Sequence, residues 1–190
     1  MIIVNGIEKH GTHALLKTVE LLGMPVRCSV ASEGAEHCHL QHTRKLAKKN
    51  RHNKHLFIIR NPKNAFISYL RDRNLPLQSG MMASRIQVID EKQTYYQMCK
   101  PFLGWLNEQS VHVVRLEDLV SDGGKTIDGI ADYLGVPHQP EAFENLPGHT
   151  VTWNPIPSDY KKLKSWNEFV QAAWEKHGGL ELEKALGYGG

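Results

Sequence analysis

The sequence predicts an α/β protein built on a parallel sheet, and three observations carry that expectation. Apolar runs rich in β-branched residues recur at residues 1–5, 55–60 and 111–116, without the polar alternation of a half-solvated strand. The runs are followed by stretches whose apolar residues recur at helical spacing, at 13–22, 63–72 and 125–134. The connections between them are short. Such an alternation implies a three-layer α/β/α arrangement around a central parallel sheet, with ligands bound at the strands' carboxyl ends.

Bulk properties agree with one soluble domain spanning residues 1–190. Hydrophobic residues make up 41% and charged residues 23%, values of an ordinary globular chain and not of a disordered one. The net charge of +3 suits an anionic ligand without calling for nucleic acid. Cys28, Cys38 and Cys99 are an odd set without CxxC spacing, which points to a reducing compartment. No apolar run approaches a membrane span, and residue 2 already belongs to a strand with no basic leader before it. The expected setting is cytoplasmic, with no membrane or nucleic-acid partner and a monomer or homodimer as the assembly.

In chain order, the strand at 1–5 runs into a turn bounded by Gly6 and Gly11 with Lys9 inside it. A helix over 13–22 follows, with Gly23 suited to close it. A strand, a glycine-bounded turn and a helix N-terminus make an anion site, because backbone N–H groups and the helix dipole both face the ligand. Residues 24–30 read as a second short strand and 31–42 as a polar, histidine-rich loop. The basic stretch 43–55 holds a short helix with a solvated face. The strand at 55–60 ends in Arg60-Asn61-Pro62, with Pro62 placed at the first turn of a helix carrying Ser68. After a turn-rich break at 74–80 comes a mostly helical segment, 81–107, whose Tyr95, Tyr96, Met98, Phe102 and Trp105 read as core. The strand at 111–116 reads as buried, the helix at 125–134 is closed by Gly135, and 137–159 is a long loop. Residues 166–188 form one amphipathic helix.

The glycine spacing of the first turn is that of the nucleotide-kinase loop, but Thr12 and His13 stand where Lys and Ser/Thr would bind phosphate and magnesium. The order Lys9-His10-Gly11-Thr12-His13 instead resembles the Lys-Ser-Gly-Thr-Thr of the sulfotransferases that use 3′-phosphoadenosine 5′-phosphosulfate (PAPS). Arg60-Asn61-Pro62, with Ser68 eight positions after the arginine, resembles that family's 3′-phosphate motif. Arg115-Leu116-Glu117-Asp118-Leu119 is similar to its Arg-Tyr-Glu-Asp-Leu, and Tyr133-Leu134-Gly135 to its Phe/Tyr-Leu-Gly. Ser158-Asp159-Tyr160-Lys161 resembles the Gly-Asp-Trp-Lys that follows the family's Arg-Lys-Gly loop. The Arg-Lys-Gly itself is missing, and Ala14 replaces the tryptophan that stacks on adenine.

The resemblance implies a P-loop-like sulfotransferase fold and transfer of a sulfuryl group from PAPS, leaving 3′-phosphoadenosine 5′-phosphate (PAP). The acceptor would be a hydroxyl or amine of a small molecule or carbohydrate, and no metal is required. It implies that Lys9 neutralises the leaving 5′-phosphate, and that backbone N–H groups of His10, Gly11, Thr12 and His13 with the Thr12 hydroxyl hold it. Arg60 and Ser68 would recognise the 3′-phosphate. The general base would be His39 of His39-Leu40, which lies twenty-one residues before Arg60. His37, His42, Glu33 and Glu36 compete for that role. His37-Cys38-His39 with His42 also has the composition of a zinc site, without a compact second pair of ligands. Two other readings stay open: a P-loop-like nucleotide kinase or hydrolase, and a degenerate protein that binds PAPS or PAP without transfer.

Overall fold

The computed structural model describes residues 2–24, 39–72, 94–122, 124–139 and 166–189. The chain divides into two compact units, Met1–Arg60 with Phe102–Pro155, and Asn61–Pro101 with Ile156–Gly190.

The first unit is a three-stranded parallel sheet with helices packed on it. β1 (Ile2–Gly6) pairs with β2 (Lys54–Ile59), and β2 pairs with β3 (Val111–Arg115), giving the order β1-β2-β3. The register sets Gly6 opposite Ile58 and Ile59 opposite Arg115, so all three strands end together at one edge. α1 (Thr12–Leu21) follows β1, and α2 (Arg44–Asn50) precedes β2. α2 is capped by the Thr43 hydroxyl, which accepts the Leu46 N–H at 3.1 Å. In the second unit, α3 (Pro62–Asp72) starts at the expected proline, and α4 (Tyr95–Cys99) opens with a capping box of Thr94 and Gln97. A 3₁₀ stretch, Lys100–Asn107, leads back to the sheet.

Beyond β3, α5 (Leu116–Ser121) and α6 (Lys125–Leu134) complete the first unit's described helices. Its core joins Ile2 and Val4 of β1, Leu15 and Val19 of α1, Leu56 and Ile58 of β2, and Leu119, Ile127 and Ile130 of the last two helices. β1 and β2 are buried along almost their whole length, as their unbroken apolar runs require. β3 departs from the expected buried strand: Val113 is 37% exposed and Arg115 is exposed, because β3 pairs on one side only among the described residues.

The second unit contains α3, α4, α7 (Glu168–Lys176) and α8 (Gly179–Leu186). The single helix expected at 166–188 is therefore two. His177 caps α7, and Gly178 at φ 74° takes the left-handed conformation that ends one helix and starts the next. A ring cluster fills this unit, with Phe66, Tyr95 and Trp174 packed at centroid distances of 5.1–6.2 Å. Lys63 and Glu183 form an ion pair at 2.8 Å beside it.

Most of the expected strand at 24–30, most of the loop at 31–42, the break at 74–80, and residues 81–93 lie outside the described residues. So do 140–165, which include Ser158-Asp159-Tyr160-Lys161, and so do Glu33, Glu36, His37 and Cys38.

Leu15 is completely buried between β1 and the helices of the first unit. Leu15→Ala is expected to cost about 2–5 kcal/mol, read as a lower urea midpoint at unchanged m-value.

Candidate active site

Because β1 and β2 are parallel neighbours, the segments leaving their carboxyl ends start side by side. Gly6 is the last residue of β1, and a Cβ there would lie 2.8 Å from both Ile58 Cγ2 and Thr12 Oγ1. The bare backbone lets the strand end, β2 and the start of α1 close on one another. The turn that follows is closed by the His10 N–H donating to the Ile7 carbonyl at 3.1 Å. Lys9 has φ 65°, the one positive value at a non-glycine among the described residues. An L-residue held there costs roughly 1–2 kcal/mol, a strain that is characteristic of ligand clamps.

Gly11, at φ 100°, is the N-cap of α1 and supplies no side-chain cap, and the first turn holds no acidic residue. The intrahelical ladder begins with Leu15 N–H to Gly11 O at 3.2 Å. The N–H groups before it therefore point along the axis at the positive end of the dipole. The Thr12 hydroxyl is buried with no hydrogen-bond partner. An uncapped helix start, a lysine in its loop and an unsatisfied hydroxyl fit an anion. His10 departs from the expectation in one respect: its N–H is engaged by Ile7, so the loop's backbone donors begin after it.

His10 also does what the sequence did not announce. Its ring is fully buried, and Nδ1 accepts the Arg60 backbone N–H at 3.0 Å. Burial, then the Arg60 guanidinium and His39, lower its pKa to about 3. The ring is neutral at ordinary pH, and with Nδ1 as acceptor the proton sits on Nε2. Nε2 is buried without a hydrogen-bond partner. The ring thus ties the loop after β1 to the residue after β2. Arg60 itself is buried, at 7% exposure.

His39 lies in the same unit, with Nδ1 2.8 Å from the Gly6 carbonyl. A carbonyl only accepts, so Nδ1 carries the proton and the ring's basic nitrogen is Nε2. His42 is turned elsewhere, with Nε2 2.7 Å from Glu108. The two described histidines of the zinc-like cluster therefore face different partners. Among the described residues, no group of three His, Cys, Asp or Glu is placed to hold a metal.

Lys9, His10, Gly11, Thr12, His13, His39 and Arg60 thus all belong to the first unit. Ser68 belongs to the second, half-buried on α3. Ala14 is buried in the core at 1% exposure, so adenine finds no stacking ring at that position. Asn5, which sequence reasoning passed over as one residue of an apolar strand, is completely buried and hydrogen-bonded to Leu40 beside His39. A polar residue in an otherwise apolar strand was the available signal.

An α/β protein whose first parallel strand runs through a glycine-bounded turn into a helix start without a side-chain cap, with His39 bonded to that strand's last carbonyl, is the class that the fold defines. The chain belongs to the sulfotransferase domain family, whose family model matches residues 33–155. The match covers His39, Arg60 and Ser68, while the loop at 6–11 precedes it. No curated protein matches the chain. No helix of the described residues is long and apolar enough to cross a membrane.

The unfolded chain binds a proton at an ordinary histidine near pH 6.5, whereas folded His10 resists it down to about 3. Burial lowers His55 likewise, to about 4. Both contributions to stability are complete above pH 6.5 and are lost as the pH falls through that window. Urea midpoints measured from pH 7 to pH 4 should therefore fall steadily. His10→Asn keeps an acceptor near the position of Nδ1 but cannot titrate. It should make the fall shallower by up to about 1.4 kcal/mol per pH unit.

Proposed function

We propose that the protein transfers the sulfuryl group of PAPS to a hydroxyl or amine acceptor, with His39 as general base. The observation that supports this reading is the bond from His39 Nδ1 to the Gly6 carbonyl at 2.8 Å, at the strand end from which the glycine-bounded turn leaves; it leaves Nε2 as the ring's basic nitrogen. The engagement of His42 with Glu108 favours His39 over that neighbour.

Sulfuryl transfer passes through a loose, in-line transition state, so catalysis is positioning together with stabilisation of charge on the leaving group. His39 Nε2 takes the acceptor's proton as the acceptor oxygen or nitrogen bonds to sulfur. The sulfur–oxygen bond to the 5′-phosphate breaks, and its electron pair stays on that oxygen. Lys9 neutralises the charge that collects there, and the N–H groups at the start of α1 and the Thr12 hydroxyl hold the phosphate. Arg60 recognises the 3′-phosphate through a planar fork matched to two phosphate oxygens. The acceptor is a small molecule or a carbohydrate, and the reaction draws on no metal.

The test is the thermal shift with PAP beside ADP and magnesium ATP. At a hundred times its dissociation constant, PAP should add about 2.7 kcal/mol, roughly 5–10 °C for a chain of this size. Arg60→Ala should abolish most of that shift. A shift with magnesium ATP alone would replace this reading with a kinase or hydrolase. PAP binding without turnover over a panel of phenolic, amine and sugar acceptors would leave a binding protein. Where an acceptor is turned over, Lys9→Ala should lower kcat by about 10²–10³.

A further inference from the structure

β1 reads Ile-Ile-Val-Asn-Gly, and its one amide is as deeply buried as its aliphatic neighbours. Burying an unsatisfied amide costs on the order of 1–3 kcal/mol, so its partners need accounting. Asn5 Oδ1 accepts the Gly6 N–H at 2.9 Å and the Leu40 N–H at 2.8 Å. Asn5 Nδ2 donates to the Leu40 carbonyl at 3.1 Å and to His55 Nε2 at 3.3 Å. Two acceptor sites and two donors are all an amide has, and all are filled. The amide's orientation follows from Leu40, whose N–H faces an oxygen and whose carbonyl must face an N–H.

Asn5 therefore grips Leu40 as a neighbouring strand would, by its N–H and its carbonyl together. Trp105 Nε1 donates to the same Leu40 carbonyl at 2.7 Å, closing the grip from the other side. The Trp105 ring packs edge-on against both His42 and His55, at centroid distances of 4.9 and 4.4 Å. The residue before Leu40 is His39. It is exposed, and the backbone that carries it and the bond to the Gly6 carbonyl both bear on the position of its ring. That carbonyl belongs to the residue after Asn5. One side chain thus anchors the segment bearing the imidazole, and its Oδ1 holds the N–H of the residue whose carbonyl orients the ring.

We propose that Asn5 is the positioning residue for His39: its amide clamps Leu40 to the end of β1, so that His39 meets the Gly6 carbonyl through Nδ1–H and turns Nε2 toward the acceptor. The functional half of this statement rests on the reading of His39 as base; the clamp and the tautomer stand without it. Asn5 touches neither substrate, so its loss should act on proton transfer and leave cofactor affinity largely unchanged.

The experiment is long-range 1H–15N NMR of 15N-histidine-labelled protein at pH 8, with His39 assigned from the signal lost in His39→Gln. In the wild type His39 should show the Nδ1–H tautomer. Asn5→Ala should shift it toward the mixed tautomers of a solvent-exposed histidine. Retention of Nδ1–H in a folded Asn5→Ala variant would overturn the proposal. Should that variant fail to fold, hydrogen exchange of the Leu40 amide in the wild type decides. An N–H held on a buried acceptor should exchange at least about a hundredfold more slowly than an open loop amide, and an unprotected rate there would equally overturn the clamp. Trp105→Phe, which removes one hydrogen bond to Leu40 and keeps a ring, should move the tautomer less than Asn5→Ala. With an acceptor in hand, Asn5→Ala should lower kcat about ten- to a hundredfold at unchanged KM for PAPS. Absence of a PAP shift in the wild type would sink the donor assignment while leaving the tautomer and exchange results to judge the clamp alone.

Discussion

The parallel pairing of β1 with β2, in the register that sets Gly6 opposite Ile58, is the constraint on which the rest of the first unit depends. Parallel neighbours deliver their following loops to the same edge of the sheet, so Lys9 and Arg60 leave it from adjacent strands. Gly6 makes this approach possible, since any side chain would collide with Ile58 and Thr12. His10 then fastens the two exits by accepting the Arg60 N–H. A one-residue slip would turn every side chain of β2 to the opposite face and part Gly6 from Ile58, so the close approach at the strand ends depends on this register.

Three histidines of the first unit show how neighbouring backbone and amide groups assign protons. His10 accepts an N–H at Nδ1, His55 accepts the Asn5 amide at Nε2, and His39 donates from Nδ1 to a carbonyl. Each partner can play one role only, so each tautomer is dictated rather than chosen. The two buried rings are kept neutral by desolvation, while His39 is exposed. Neutral buried rings serve as rigid hydrogen-bonding struts.

The family-like segments divide by physical role. In Arg115-Leu116-Glu117-Asp118-Leu119, both leucines are core, and Leu116 packs 3.0 Å from where a Gly11 Cβ would stand, bracing the loop from beneath. In Tyr133-Leu134-Gly135, the phenol accepts the His55 N–H at 2.9 Å and donates to the Ser110 carbonyl at 2.7 Å, tying β2 to the turn before β3. Gly135 caps α6. These segments build and brace the sheet, whereas the loop at 6–11 and the Arg60 segment supply charge at its edge.

The three strands, the helices at 12–21, 62–72 and 125–134, their order, and the placing of Lys9 and Arg60 after strands were legible in the sequence itself. Those features rest on local rules: unbroken apolar runs, helical spacing, glycine at turns and a proline at a helix start. Tertiary structure alone decided the rest. The break at Gly178 depends on one residue's backbone conformation within a pattern that reads as continuous helix. The exposure of β3 follows from its place in the sheet, which an apolar run does not record. The engagement of His42 with Glu108, the strut role of His10 and the bonds of Asn5 to Leu40 all come from hydrogen bonds spanning 35 to 66 residues. Such contacts leave no period or spacing in the chain, because they are made by sheet register and packing rather than by neighbours in sequence.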